Sequence, residues 1–319
     1  MTFTLVATAK NEAPFLLEWV AYHKMIGFDH IIIYQNDSND MTDRMLRILR
    51  EMGVVRYFHN PAPRGSYQVR AYKRATGLAE YVASDWAMAL DLDEFLHIKC
   101  GQGRLEDLVR EIPDADQICI NWRLFGSSGR AELTEDLVTA RFTTCDRPDH
   151  ITRRLIGFKT LFRTARFGRP GVHKPAHPKK GALRKVNGSG LPEGSFATAN
   201  WRSKDPDARR YAEVCHYAIR DAMSFVVKSV RGSAHQAHRS IDQAYWTQFD
   251  KYQYSEPSMA ALAPRIWAEM EALDAASDHR LLALRTKAIQ IHRQKFEAAM
   301  ADDSVRALYA FCTGTTEVS

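Results

Sequence analysis

The chain has 319 residues, 45% of them apolar and 26% charged, and a formal net charge of +6. That balance is ordinary for a soluble globular protein, and no internal repeat or low-complexity tract interrupts it. Five scattered cysteines with no C-x-x-C pair exclude a disulfide framework and a zinc ribbon, and they point to a reducing compartment.

The first residues, Met1–Val6, read as a strand rather than a signal peptide, and no apolar run reaches the length of a membrane span. The expectation is a soluble cytosolic protein. Phe3–Ala9 is a strand-like apolar run. Lys10-Asn11-Glu12-Ala13-Pro14 follows it, with Asn11 as N-cap and Pro14 in the first helical turn. Leu16, Leu17, Val20 and Ala21 then recur at helical spacing until Gly27. His30–Tyr34 is a second strand, and the polar loop Gln35–Asp40 leads to a helix carrying Met45, Leu46, Ile48 and Leu49. Val54–Phe58 predicts a third strand, Asn60–Ser66 a loop, and Tyr67–Ala83 one long helix.

The next stretch, Trp86–Leu96, carries most of the chemistry. Its first half is an apolar run of buried-strand length, and its second half sets Asp91, Asp93 and Glu94 at the strand end. Carboxylates beside a core strand are costly unless a cation or several donors meet them. In an extended chain residues i and i+2 point the same way, so Asp91 and Asp93 would converge on an oxygen-seeking ion. The plain alternative is an acidic turn in solvent.

A helix (Leu105–Ile112) and a strand (Gln117–Leu124) follow. Strand and helix thus alternate five times, which predicts an α/β fold with a mostly parallel central sheet and helices on both faces. In such sheets ligands bind beyond the carboxyl ends of the strands. Lys10–Glu12, Gln35–Asp40 and Asp91–Glu94 should therefore share one rim.

Beyond Phe125-Gly126-Ser127-Ser128-Gly129 the alternation stops. Val138–Thr144, Phe158–Arg163 and Val214–Tyr217 read as strands. From Asp221 onward helices dominate, with apolar spacing over Leu262–Leu273 and His279–Met300. The expected division is residues 1–220, with halves 1–130 and 131–220, and a helical extension over 221–319. Between His150 and Pro192 there are eleven Lys and Arg and no acidic residue. Such a segment suits an anionic partner, a glycan or a peripheral membrane surface among them. No nucleic-acid-binding module is recognisable.

Three ordered stretches carry a family resemblance. They are Lys10-Asn11-Glu12-Ala13-Pro14 with Leu16-Leu17-Glu18-Trp19, then Tyr34-Gln35-Asn36-Asp37-Ser38-Asn39-Asp40, then Asp91-Leu92-Asp93-Glu94-Phe95-Leu96. Together they resemble nucleotide-sugar glycosyltransferases of the GT-A fold, within the family-2-like group related to glycosyltransferase family 92. The likeness covers roughly residues 3–130 and continues weakly through Asn121–Gly129, Gly171–Pro175 and His216-Tyr217. One D-x-D alone is a common accident; the ordered set is not.

The resemblance implies a metal-dependent, inverting enzyme that moves a sugar from a nucleotide-diphosphate sugar, UDP-sugars first, to a hydroxyl of a glycan or other acceptor; the basic segment points to an anionic or membrane-proximal glycan. The D-x-D implies Mn²⁺ or Mg²⁺ at Asp91 and Asp93, with His173 preferred over His216 as a third ligand. Ala7, Thr8, Asn11, Glu12, Asn36, Asp37, Arg64, Gln68, Asp91 and Leu92 match donor-binding positions, while Gln35 departs from the acidic residue many relatives carry. Glu94 and Trp122 are further metal or acceptor candidates, and Trp122 and Phe125 are candidate sugar platforms. Asp136, with Glu135 beside it, is the candidate general base. Phe225, Val226 and Val230, with Lys228 and Arg231, read as a helix with a basic face that either orients the acceptor or stands in solvent.

Two other classes stay open at this point. One is a nucleotidyltransferase on a similar sheet, although the first loop lacks the Gly-rich basic signature of that chemistry. The other is a non-catalytic protein binding a nucleotide or polyanion through residues 150–192.

Overall fold

The computed structural model describes residues 1–61, 66–147, 156–196, 198–199, 202–205, 207–231 and 241–315. Chain order in the first half is β1 (Phe3–Ala9), α1 (Ala13–Met25), β2 (His30–Gln35), α2 (Thr42–Glu51), β3 (Arg56–His59), α3 (Tyr67–Ala75), α4 (Ala79–Val82), β4 (Trp86–Ala89), β5 (Glu94–Ile98), α5 (Leu105–Glu111) and β6 (Gln117–Leu124). The second half continues with α6 (Val138–Arg141), β7 (Thr144–Cys145), β8 (Ile156–Arg163), β9 (Phe167–Arg169), β10 (Ala176–Pro178), β11 (Lys185–Asn187), α7 (Glu193–Phe196), β12 (Thr198–Ala199), β13 (Arg202–Ser203) and β14 (Ala212–His216). It closes with α8 (Ala222–Arg231), α9 (Gln243–Phe249), β15 (Tyr254–Ser255), α10 (Ala263–Ala276), α11 (Arg280–Ala299) and α12 (Asp303–Thr313).

The central sheet runs β3-β2-β1-β4-β8-β6-β14-β5. Its first four strands are parallel, and their β-branched and aromatic residues face helices on both sides. From β8 onward the sheet is mixed: β8 is antiparallel to β4 and β6, and β5 is antiparallel to β14. The α/β class expected from the alternation therefore holds, with parallel and antiparallel pairs mixed in the second half, where β6 runs parallel to β14 and β11.

Helix α1 is buried on every side from Ala13 to His23. One side faces the sheet and another faces α10 and α11, which explains why its apolar residues form no single stripe. Glu18, also buried, accepts hydrogen bonds from the Val138 and Thr139 amides at 2.8 and 2.9 Å. Those bonds satisfy the first amides of a helical turn, so Val138–Arg141 is helix where the sequence reads as strand. The expected long helix Tyr67–Ala83 is broken after Ala75, with Thr76 and Gly77 in a turn between α3 and α4. Among the described residues, no helix is long and apolar enough to cross a membrane.

Candidate active site

The loops after β1 and β2 lock together. The Asn11 amide donates to Ser38 Oγ at 3.0 Å, and the Asn39 amide donates to Asn11 Oδ1 at 2.8 Å. Asn11 adopts a φ of 54°, a left-handed conformation that Asn tolerates better than most residues. It does not cap α1. Asp40 Oδ2 does so instead, accepting from the Ala13 amide at 3.2 Å. Asn36 Oδ1 accepts from Asn60 Nδ2 at 2.9 Å, and Asp37 Oδ1 lies 2.8 Å from His59 Nε2. Ala7 is fully buried in β1, with Thr8 one position nearer the rim. Arg64 lies outside the described residues.

Between β4 and β5 the chain makes a tight turn, closed by the Glu94 amide donating to the Asp91 carbonyl at 3.0 Å. The backbone is not extended there, so Asp91 and Asp93 meet different neighbours. Asp91 accepts from Gln68 Nε2 at 2.6 Å and from Lys159 Nζ at 2.9 Å. Asp93 accepts from Lys228 Nζ at 3.0 Å, and its other oxygen lies 3.7 Å from His216 Nε2. Leu92 between them is buried, its carbonyl accepting from Arg220 Nη2 at 3.2 Å.

Glu94 is fully buried and meets three donors: the Asp91 amide (2.8 Å), Trp122 Nε1 (2.9 Å) and Lys159 Nζ (3.0 Å). Burial lifts its carboxyl to about 8, against the pull of Lys159. Burial also pushes Asp93 upward, but Lys228, His216 and Arg220 outweigh it and hold that carboxyl well below the usual range. His216 is lowered by burial to about 4 and is neutral near pH 7; its Nδ1 has no hydrogen-bond partner among the described residues.

The Trp122 ring lies against both histidines, 4.6 Å from His216 and 5.4 Å from His173 between ring centroids. His173 Nδ1 is 3.1 Å from the Phe158 carbonyl, whereas His216 is the histidine beside the Asp93 carboxylate. Phe125 is fully buried and stacks on Tyr217, so it belongs to the core and offers no sugar platform. Glu135 and Asp136 stand in an exposed turn. Asp136 accepts from Thr134 Oγ1 at 2.9 Å, and the Glu135 carbonyl accepts from Arg285 at 2.6 Å.

Three cations complete the site. Lys159, fully buried in β8, bridges Asp91 and Glu94. Its signal in the sequence is a lone lysine among the apolar residues Ile156–Phe162. Arg220 and Arg231 both hold Glu12, at 3.0 and 3.1 Å. The basic face expected on the Phe225 helix is real, and it turns inward to Asp93 and Glu12 rather than to solvent. Of the basic segment's eleven Lys and Arg, Arg166, Arg184 and Lys185 pair with Asp116, Asp114 and Glu193, so a part of its charge is neutralised locally.

A second group of metal-capable atoms exists. His97, Glu213 and Cys215 place ligand atoms within 4.8 Å of one another. Glu213 already holds Arg123 at 2.8 Å and Lys99 at 3.1 Å, which makes the group a buried ion-pair network.

Residues 6–189, more than half of the chain, match the family described as Glycosyltransferase family 92. A family 92 protein of Oryza sativa subsp. japonica is 30% identical over 139 residues, which is 42% of this chain and 23% of that protein. One from Ricinus communis is 30% identical over 142 residues, 42% and 24% respectively. The aligned part thus spans about a quarter of these relatives. Among solved structures, S. aureus TarS residues 1–349 aligns with all of this chain and 92% of its own, at 11% identity and a TM-score of 0.33. Glucosyl-3-phosphoglycerate synthase from Mycobacterium tuberculosis, with Mn²⁺, UDP and glucosyl-3-phosphoglycerate, aligns with 58% of this chain and 69% of its own, at 11% identity and 0.32. Likeness at this distance carries no residue roles.

Proposed function

The chain belongs to glycosyltransferase family 92, and from that premise we propose that it moves a sugar from a nucleotide-diphosphate sugar to an acceptor hydroxyl at the Asp91–Glu94 rim, with inversion at the sugar carbon. The observation that carries this reading is the meeting of Asp93 with His216 and Lys228 beside the locked loops of β1 and β2.

The residues fit a divalent cation. Asp93 and His216 are mostly buried and 3.7 Å apart, too far for a hydrogen bond. They offer one hard oxygen and one neutral imidazole nitrogen, a set suited to Mn²⁺ and compatible with Mg²⁺. An ion held there supplies positive charge for the diphosphate as it leaves. The other roles belong to the chain itself. Lys228 adds a second positive charge beside Asp93. Lys159 balances the Asp91 carboxylate and holds the Glu94 carboxyl in the buried rim. Asp91, tied to Gln68, faces the ribose side, and the loops at Asn11 and Asn36 form the base pocket. UDP-sugars are the first donors to test. Inversion needs a carboxylate to take the acceptor proton; Asp136, with Glu135 beside it, is the proposed base, since both side chains are exposed to an incoming hydroxyl.

The test is nucleoside diphosphate release from a donor panel, with Mn²⁺ present or chelated. Asp93→Asn should lower transfer by about 10²-fold or more, and Asp136→Asn should lower transfer while UDP binding persists. Equal turnover by wild type and Asp93→Asn would overturn the metal role.

A further inference from the structure

Behind the rim, a solvent-open pocket lies between α8, α11 and the loop after β1. Four cations line it, Arg220, Lys228, Arg231 and Lys295, against two carboxylates, Glu12 and Asp40. The excess is positive, and the donors are not used up. Arg220 and His292 are each only 8% exposed. Yet Arg220 Nε, Arg231 Nε and His292 Nε2 have no hydrogen-bond partner among the described residues. Buried polar atoms without partners are costly, so two guanidinium donors and an imidazole nitrogen around one concavity mark a place where an acceptor-rich group belongs.

The guanidiniums are held ready. Glu12 takes one terminal nitrogen from each arginine, and the Phe15 ring lies 3.6 Å from the Arg220 guanidinium carbon. Burial, reinforced by Arg220, lowers His292 to about 4, so its imidazole is neutral and adds no charge until an anion arrives.

We propose that this pocket binds an oxyanion, a phosphate or carboxylate carried by the acceptor, next to the site of transfer. The assignment rests on the transfer reading above and gives it a substrate class. The position distinguishes the acceptor from the donor's own diphosphate. The pocket shares Asn11 and Glu12 with the first loop, but not Asn36, Asp37, Gln68 or Asp91. One wall is α11, which touches the second polar loop through Lys295 on Asn39 Oδ1 at 2.5 Å. Lys228 connects the two regions, because it lines the pocket while its ammonium contacts Asp93. An anion anchored there holds the rest of its molecule within one side chain's reach of the rim.

The probe is inorganic phosphate, titrated by calorimetry into the full chain alone and into the chain saturated with UDP and Mn²⁺, with the His292 imidazole signal followed by NMR. Expected results are phosphate binding in both states, a shift of the His292 signal, and about tenfold weaker phosphate binding in Lys295→Glu, a loss larger than any change in UDP affinity. Displacement of phosphate by UDP would give the pocket to the donor diphosphate and overturn the proposal. So would a silent His292, or a Lys295→Glu chain that binds phosphate like wild type. Absence of UDP binding would instead count against the transfer reading, while the phosphate titration of the free chain still decides the pocket.

Discussion

Lys159 has no exposure to solvent, and its ammonium lies 2.9 Å from Asp91 and 3.0 Å from Glu94. Removing one partner of a buried ion pair leaves an uncompensated charge, which costs more than the pair contributes. Lys159→Met should therefore destabilise the fold by about 3–5 kcal/mol, read from the urea midpoint. Adding Asp91→Asn to that variant should recover a large part of the loss, because the stranded charge is then gone. An additive double variant would mean that Lys159 acts by packing alone. The D-x-D residues are thus balanced by ammonium groups from β8 and α8, which local sequence does not reveal.

At the scale of elements, β8 decides the geometry of the rim. Gly157 lies two residues before Lys159, on the same face of the strand. A Cβ built at Gly157 would come within 2.3 Å of the Trp122 ring. Only glycine lets the indole lie flat there and donate to Glu94 at 2.9 Å. Gly157→Ala should push the ring away, costing about 1–3 kcal/mol of stability and lowering transfer more than the stability loss explains. Gly126→Ala is the comparison: it also overpacks, against the Lys251 backbone, and does not touch the rim. Equal activity losses in the two variants would remove the special role of β8. The turn between β4 and β5 makes the same point. The spacing of Asp91 and Asp93 is compatible with shared ligation, but β5 begins at Glu94, directly opposite His216 on β14. That pairing turns Asp93 to His216 and Asp91 to Lys159.

At the scale of the molecule, one apolar core runs from β1 and α1 through Met259, Ile266, Met270, Leu281 and Ile289. We propose that α8, α10 and α11 fold with the sheet as one cooperative unit. His23 reports on that core. It is fully buried, its Nδ1 lies 2.8 Å from the Trp19 carbonyl, and the Leu96 amide approaches Nε2 at 3.5 Å. Burial lowers it to about 3, opposed by the Trp19 carbonyl. The folded value lies below the unfolded one of about 6.5, so the unfolded chain binds the proton first. The stabilisation from neutral His23 is complete above pH 6.5 and is lost as pH falls toward 3. Between pH 6.5 and 4.5 wild type should lose about 2–3 kcal/mol more stability than His23→Leu, measured by denaturant unfolding at each pH. Parallel pH curves would show that His23 does not carry this proton linkage.

The sequence by itself determined the parallel βα half, its order, and the rim where three polar loops meet. Those features are local: apolar runs, strand-breaking loops and carboxylates at strand ends are written within a few residues of one another. It also singled out Asp93, His216, Lys228 and Arg231, each from its own stretch. Only the tertiary structure decided who meets whom. The preference for His173 rested on its Gly- and Pro-rich loop, whereas the β14–β5 register puts His216 beside Asp93. Val138–Thr144 looks like a strand, but a carboxylate 120 residues away in α1 makes its first turn helical. The basic pocket depends on α8 and α11 folding back over the first loop. Such pairings join residues far apart in the chain, and burial and charge balance select them only once the sheet has formed.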